Sequence, residues 1–156
     1  AKDVVDMAST PLIIEAVEQQ NLQQLSMEVI KQRDKAWMAT KTITSFKTEL
    51  QQSEVGSFLK STVLRNRAIY SEAFLTDNQG ANVAAYPATS DYWQGDEPKF
   101  TTAFNNGRGQ LLITPVIFDD SANTYAAQVA VPVYDGQGET IGVLFVGIKL
   151  SYAQTK

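Results

Sequence analysis

Between Ser90 and Glu97 the chain sets two rings beside three carboxylates: Asp91, Tyr92, Trp93, Asp96 and Glu97. Flat rings can stack on a small molecule or cap its pocket, and a carboxylate can hold an ammonium group. Each residue also has a purely structural use. Tyr92 and Trp93 can plug the sheet edge against a following helix, and Asp91 can tie its own loop through Asx-type backbone bonds. Asp96 is placed to cap that helix, and Glu97 suits its positive end. Nothing in the stretch resembles a catalytic motif, which points to sensing rather than chemistry.

Composition narrows the chemistry further. The 156 residues contain no His and no Cys, so Ser-His-Asp and Cys-His catalysis, a phospho-accepting His, a zinc-thiolate site and a disulfide framework are all excluded. No Gly-x-Ser-x-Gly nucleophile motif is present, so we expect no enzyme in this domain, no cofactor and no metal. Asp119-Asp120 and the Asp91-Asp96-Glu97 group supply oxygens, but their spacing does not match a calcium loop. The net charge of −4, with 13 Lys+Arg against 17 Asp+Glu, disfavours nucleic acid. Hydrophobic residues at 44% and charged residues at 19% fit a folded chain. The longest apolar run, Ile141 to Ile148, falls well short of the roughly 20 residues that span a bilayer. Both ends look cut, and we expect a piece of a longer protein.

The elements that must position these residues change character midway. Val5, Ala8, Leu12, Ala16 and Val17, then Leu22, Leu25, Val29 and Ile30, recur at helical spacing and predict a long N-terminal helix reaching about Trp37. Thr10-Pro11 predicts either a cap or a bend within it. A second helix is predicted over 46–64, weakened at Gly56. From Ile69 the period is that of strands, at 69–76, 81–87, 110–118, 124–134 and 140–150, with a short helix from Asp96 to Phe104. Short turns at Asp77–Gly80, Asp119–Asn123 and Asp135–Gly138 imply antiparallel neighbours. The fold class expected is α+β: a five-stranded antiparallel sheet, the first strand beside the fifth, with the long helix on one face and the short helix and loops on the other. We expect one domain over 1–156, helical over 1–66 and sheet over 67–150.

The segments Leu75-Thr76-Asp77-Asn78-Gln79-Gly80-Ala81-Asn82-Val83-Ala84 and Thr89-Ser90-Asp91-Tyr92-Trp93-Gln94-Gly95-Asp96-Glu97 resemble the single Cache (PDC) domain, the extracytoplasmic PAS-like sensor fold of bacterial transmembrane receptors. Val131–Asp135 and Ile141–Ile148 fit the same resemblance, as do Asn21 and Asp34 with Trp37 more weakly. It implies a periplasmic domain of an inner-membrane protein, set between two membrane helices and homodimeric in the full receptor. It also implies a cytoplasmic output module, whether a histidine kinase, a chemoreceptor signalling domain or a cyclic-dinucleotide enzyme. It leaves the ligand open.

The expected ligand contacts are Arg67, Tyr70, Tyr86, Asp91, Tyr92, Trp93, Tyr125 and Gln128. Strand alternation puts Tyr70, Glu72 and Phe74 on one face, toward the pocket, and Ile69, Ala73 and Leu75 on the other, under the long helix. Gln128 is polar amid Ala and Val and needs a partner, in a ligand or in water. Arg67 can meet a carboxylate or stay solvated. The function expected is small-molecule sensing within a receptor, first of the histidine kinase type. The alternatives are a chemoreceptor, a cyclic-dinucleotide enzyme, or a non-binding module that dimerises and relays a partner's signal. The start of the first helix and Lys156 should lie near each other, and Val5, Ala8 and Leu12 should contribute to a dimer contact or bury against the sheet.

Overall fold

The computed structural model describes residues 1–119 and 123–150. The expected long helix is three helices: α1 (Lys2–Ala8), α2 (Pro11–Leu22) and α3 (Met27–Met38). Pro11 lacks an N–H and holds Thr10 extended at φ −72°, ψ 143°, which ends α1. Thr10 does not cap α2 with its side chain; its hydroxyl donates back to the Met7 carbonyl at 2.9 Å. Gln24 takes a positive φ of 48°, and Ser26 opens α3 by accepting the Val29 N–H at 3.2 Å.

The expected second helix is also broken, into α4 (Ser45–Gln52) and α5 (Glu54–Arg65). Ser53 terminates one and caps the other, its hydroxyl accepting the Gly56 N–H at 3.1 Å. Gly56 is no weak point. A Cβ there would run into the Leu50 and Gln51 backbone, so glycine is what lets α5 turn so closely from α4.

The strands are β1 (Tyr70–Thr76), β2 (Asn82–Tyr86), β3 (Leu112–Ile113), β4 (Ile117–Asp119), β5 (Thr124–Tyr134) and β6 (Thr140–Lys149), with α6 (Pro98–Phe104) between β2 and β3. They form one antiparallel sheet in the order β2-β1-β6-β5-β3, with β4 also paired to β5. Where one third strand was expected there are two short ones on the same edge: Thr114 still bonds β5, giving its N–H to the Gln128 carbonyl at 2.9 Å and accepting the Gln128 N–H on its hydroxyl at 2.8 Å, but Pro115 has no ladder N–H to give. The first strand lies beside the last, as the helix-then-strand order implied.

Each sheet face has its own cover. Ile13 and Val17 of α2 and Leu59 and Val63 of α5 bury against Ala73, Leu75, Val131, Val133, Leu144 and Val146. On the other face Phe74 and Phe145 stack with centroids 4.6 Å apart, under Phe100 and Ala103 of α6. A third cluster joins Ile30 and Trp37 of α3 and Leu50 of α4 to Ala81 and Tyr92. Of the stripe Val5, Ala8 and Leu12, Ala8 buries in the core and Leu12 packs against it, while Val5 is 39% exposed; Val4 and Met7 of α1 bury as well. Val5 and Ala8 line a small surface pocket together with Val131, Pro132 and Tyr134, whereas Lys149, ending β6, pairs with Ala126 nearer the other end of β5. Lys156 lies outside the described residues. Among those described, no helix is long and apolar enough to cross a membrane.

Candidate functional site

A cavity of about 490 Å³ opens on the sheet face away from α2 and α5. Its floor is Glu72 and Phe74 of β1 with Ala126 and Gln128 of β5. One wall is the segment carrying Thr89, Ser90, Asp91, Gln94, Glu97 and Lys99; the other is Thr114, Pro115, Ile117 and Phe118 of the split edge.

The first wall is held from behind by α3. The Trp37 indole N–H donates to the Thr89 carbonyl at 2.7 Å, and Asp34 accepts the Tyr92 and Trp93 N–H groups at 3.0 and 3.1 Å. From the hairpin side, the Asn82 N–H donates to the Tyr92 carbonyl at 3.0 Å and the Gln94 N–H to the Gly80 carbonyl at 2.7 Å. That hairpin is itself shaped by Asp77, whose carboxylate accepts the Gln79 and Ala81 N–H groups and the Gln20 amide. Burial pushes the Asp77 carboxyl up, with these hydrogen bonds pulling against it.

Inside the cavity, Glu72 is 5% exposed and accepts the Gln128 amide N–H at 3.0 Å. The Lys99 ammonium lies 3.2 Å from Glu97 and over two rings, 5.2 Å from the Phe74 centroid and 5.7 Å from that of Phe145. Burial, then the charge of Glu97 and a hydrogen bond with it, then the charge of Asp34 push the Asp91 carboxyl up to about 7, against an opposing hydrogen bond from Gln94.

Of the eight residues expected at the site, the structure brings Asp91 and Gln128 to the cavity. Tyr92 is wholly buried behind it, its ring 5.8 Å from Trp37 and 5.3 Å from Phe46, its hydroxyl accepting from Arg33 at 3.2 Å. Trp93 is half-buried in the same cluster and donates to the Gln79 carbonyl at 2.8 Å. These two rings anchor the wall instead of facing the cavity. Tyr70 lies in the core under the helices, because the β1–β6 register shifts between Tyr70 and Glu72 and the bulge puts Tyr70 on the face of Ala73 and Leu75. Tyr86 packs on that same core, with the Lys60 ammonium 5.5 Å from its ring. Tyr125 is separated from Gln128 by an odd step, so it points to the other side of β5; it is exposed, its ring 5.2 Å from Phe118. Arg67 is exposed in the connection from α5 to β1.

Glu72 and Phe74 line the cavity, on the side where strand alternation put them; Glu97, Lys99 and Thr114 line it and were not expected there. Glu72 carried a signal, the one charged residue in its strand. Glu97 stands at the N-cap position of α6 without a side-chain cap bond; Asp96, expected as the cap, is exposed and precedes it. The Asp119 and Asp120 side chains lie outside the described residues. Among those described, no group of three or more acidic residues is close enough to hold a metal ion.

The raised Asp91 carboxyl has a consequence for stability. The folded state keeps this proton between the ordinary carboxylate range near 3.8 and about 7, where the unfolded chain has lost it. The associated stability is full below that window and declines as pH rises through it. Asp91→Asn should flatten the decline in urea-midpoint stability between about pH 4 and 7. A wild-type slope unchanged in the variant would place the titration elsewhere.

The order of strands, the helices over one face and the short helix and loop over the other define an α+β fold, the one that solved PDC/Cache sensor structures share. No protein-family model matches the sequence, and no curated protein matches it. Solved structures do. The sensor domain of E. coli DcuS is 19% identical with a TM-score of 0.54, over 96% of this chain and 85% of that one. The extracellular domain of rpHK1S-Z16, a candidate histidine kinase, is 16% identical with a TM-score of 0.52, over 96% of this chain and 56% of that one. The ligand-binding domain of the Campylobacter jejuni chemoreceptor Tlp3, in complex with L-norvaline, is 18% identical with a TM-score of 0.51, over 98% and 58%. The chain therefore spans little more than half of the latter two.

Proposed function

We propose that this chain is the periplasmic small-molecule-sensing domain of an inner-membrane receptor, of the histidine kinase type, homodimeric and tethered through flanking membrane helices. The observation that carries this is the 490 Å³ cavity between the sheet and a wall pinned at its back, in a size range that takes small ligands. Its lining joins β1, β5 and the segment before α6, so a ligand touches strands on both sides of β6. A bound molecule shifts the balance between two arrangements only by its difference in affinity for them. β6 is the element that would pass the shift to the chain beyond Lys149. A chemoreceptor output is the second reading, supported by the likeness to Tlp3.

The test is a thermal-shift screen of the 156-residue chain against amino acids, carboxylates and amines. A true ligand at a hundredfold excess over its Kd should add about 2.7 kcal/mol of stability. Gln128→Ala should reduce that gain. A screen without a saturable shift would favour a relay module that binds nothing.

A further inference from the structure

The cavity lining has a charge bias that bears on the ligand class. Three acidic side chains, Glu72, Asp91 and Glu97, face it with one basic side chain, Lys99. Lys99 is already engaged, by Glu97 at 3.2 Å and by the faces of Phe74 and Phe145. An anionic ligand would have to share that ammonium with Glu97 and would meet the Asp91 carboxylate, when ionised, as a like charge. An ammonium ligand meets the opposite situation. Lys99 itself shows, within the protein, that a cationic nitrogen settles at this wall against a carboxylate and an aromatic face. The remaining lining is suited to a carbon body: Pro115 and Ile117 on one wall and Ala126, the cross-strand partner of Ile117, on the floor.

Resting on the sensing role above, we propose that the ligand is a small organic ammonium compound. Its charged nitrogen sits between Asp91 and Glu97 and its carbon body lies against Pro115 and Ile117. The ligand cation then does what a proton otherwise does, separating two carboxylates that cannot both stay charged at low cost. Asp91 faces Glu97 and Lys99 from its own segment, Asp34 from α3 and Glu72 from β1. With the Asp91 carboxyl near 7, protons compete with the ligand, so affinity falls as pH drops below that value.

The probes are n-butylamine, 1,4-diaminobutane and phenethylamine, with succinate and n-butanol as charge-inverted and neutral controls, followed by calorimetry and thermal shift on the 156-residue chain. At least one amine should bind saturably, and succinate and n-butanol should not. Asp91→Asn should weaken amine binding tenfold or more, with the melting temperature showing that the fold persists. Lys99→Gln should leave amine affinity unchanged or raise it, since it removes the only cation facing the cavity among the described residues. Succinate binding without amine binding, abolished by Lys99→Gln, would overturn the ammonium assignment and leave sensing intact. Binding of neither, repeated across the wider screen described above, would overturn both.

Discussion

Trp37→Ala should cost roughly 3–5 kcal/mol of folding stability, the range for removing a buried large aromatic. Trp37 is 2% exposed, meets Phe46 edge-on at 5.9 Å and Tyr92 at 5.8 Å, and gives its indole N–H to the Thr89 carbonyl at 2.7 Å. The truncation opens a void under the cavity wall and strips that carbonyl of its donor. Trp37→Phe keeps most of the ring packing and loses the donor, so about 1–3 kcal/mol is expected. Urea unfolding with fitted slopes distinguishes the two. A loss below about 1 kcal/mol for Trp37→Ala would mean that α3 does not clamp the wall.

Gly80→Ala should be nearly as damaging, for a different reason. Gly80 has φ +86°, and an added Cβ would run into the backbone of Gly95. Left-handed strain of about 1–2 kcal/mol adds to an overpacking cost of about 1–3 kcal/mol, so roughly 2–5 kcal/mol is expected. The clash falls where the Gln94 N–H meets the Gly80 carbonyl, so it also shifts the wall that carries Asp91. Ligand-induced stabilisation should be lost along with part of the melting temperature. Gly136→Ala is the control, since nothing lies within 4 Å of its added Cβ, and its effect should stay within about 0.5 kcal/mol. Equal effects at both glycines would contradict the proposed contact between hairpin and wall.

The division between helical and strand halves, the antiparallel pairing and the limits of β5 were legible in the residue order, because period and turn chemistry act over a few neighbours. The helix breaks were half legible. Pro11 announced one, but Ser26 and Ser53 as caps look like any serine in a polar stretch until the backbone turns there. At the site, Asp91 and Gln128 could be picked out as polar residues in a loop and in an apolar strand. The rest was a matter of tertiary partners. Tyr70 changes face through one bulge, which alternation alone does not reveal. Tyr92 and Trp93 have the chemistry of ligand contacts, yet Asp34 binds their backbone from far along the chain and the cluster behind the wall buries them. The pairing of Asp91 with Glu97, and of Lys99 with two phenylalanines from separate strands, exists only once α6 lies on the sheet. Local sequence encodes backbone preference and apolar period. Which groups share a low-dielectric space, and so perturb each other's charge, is decided by contacts between segments that the chain order keeps apart.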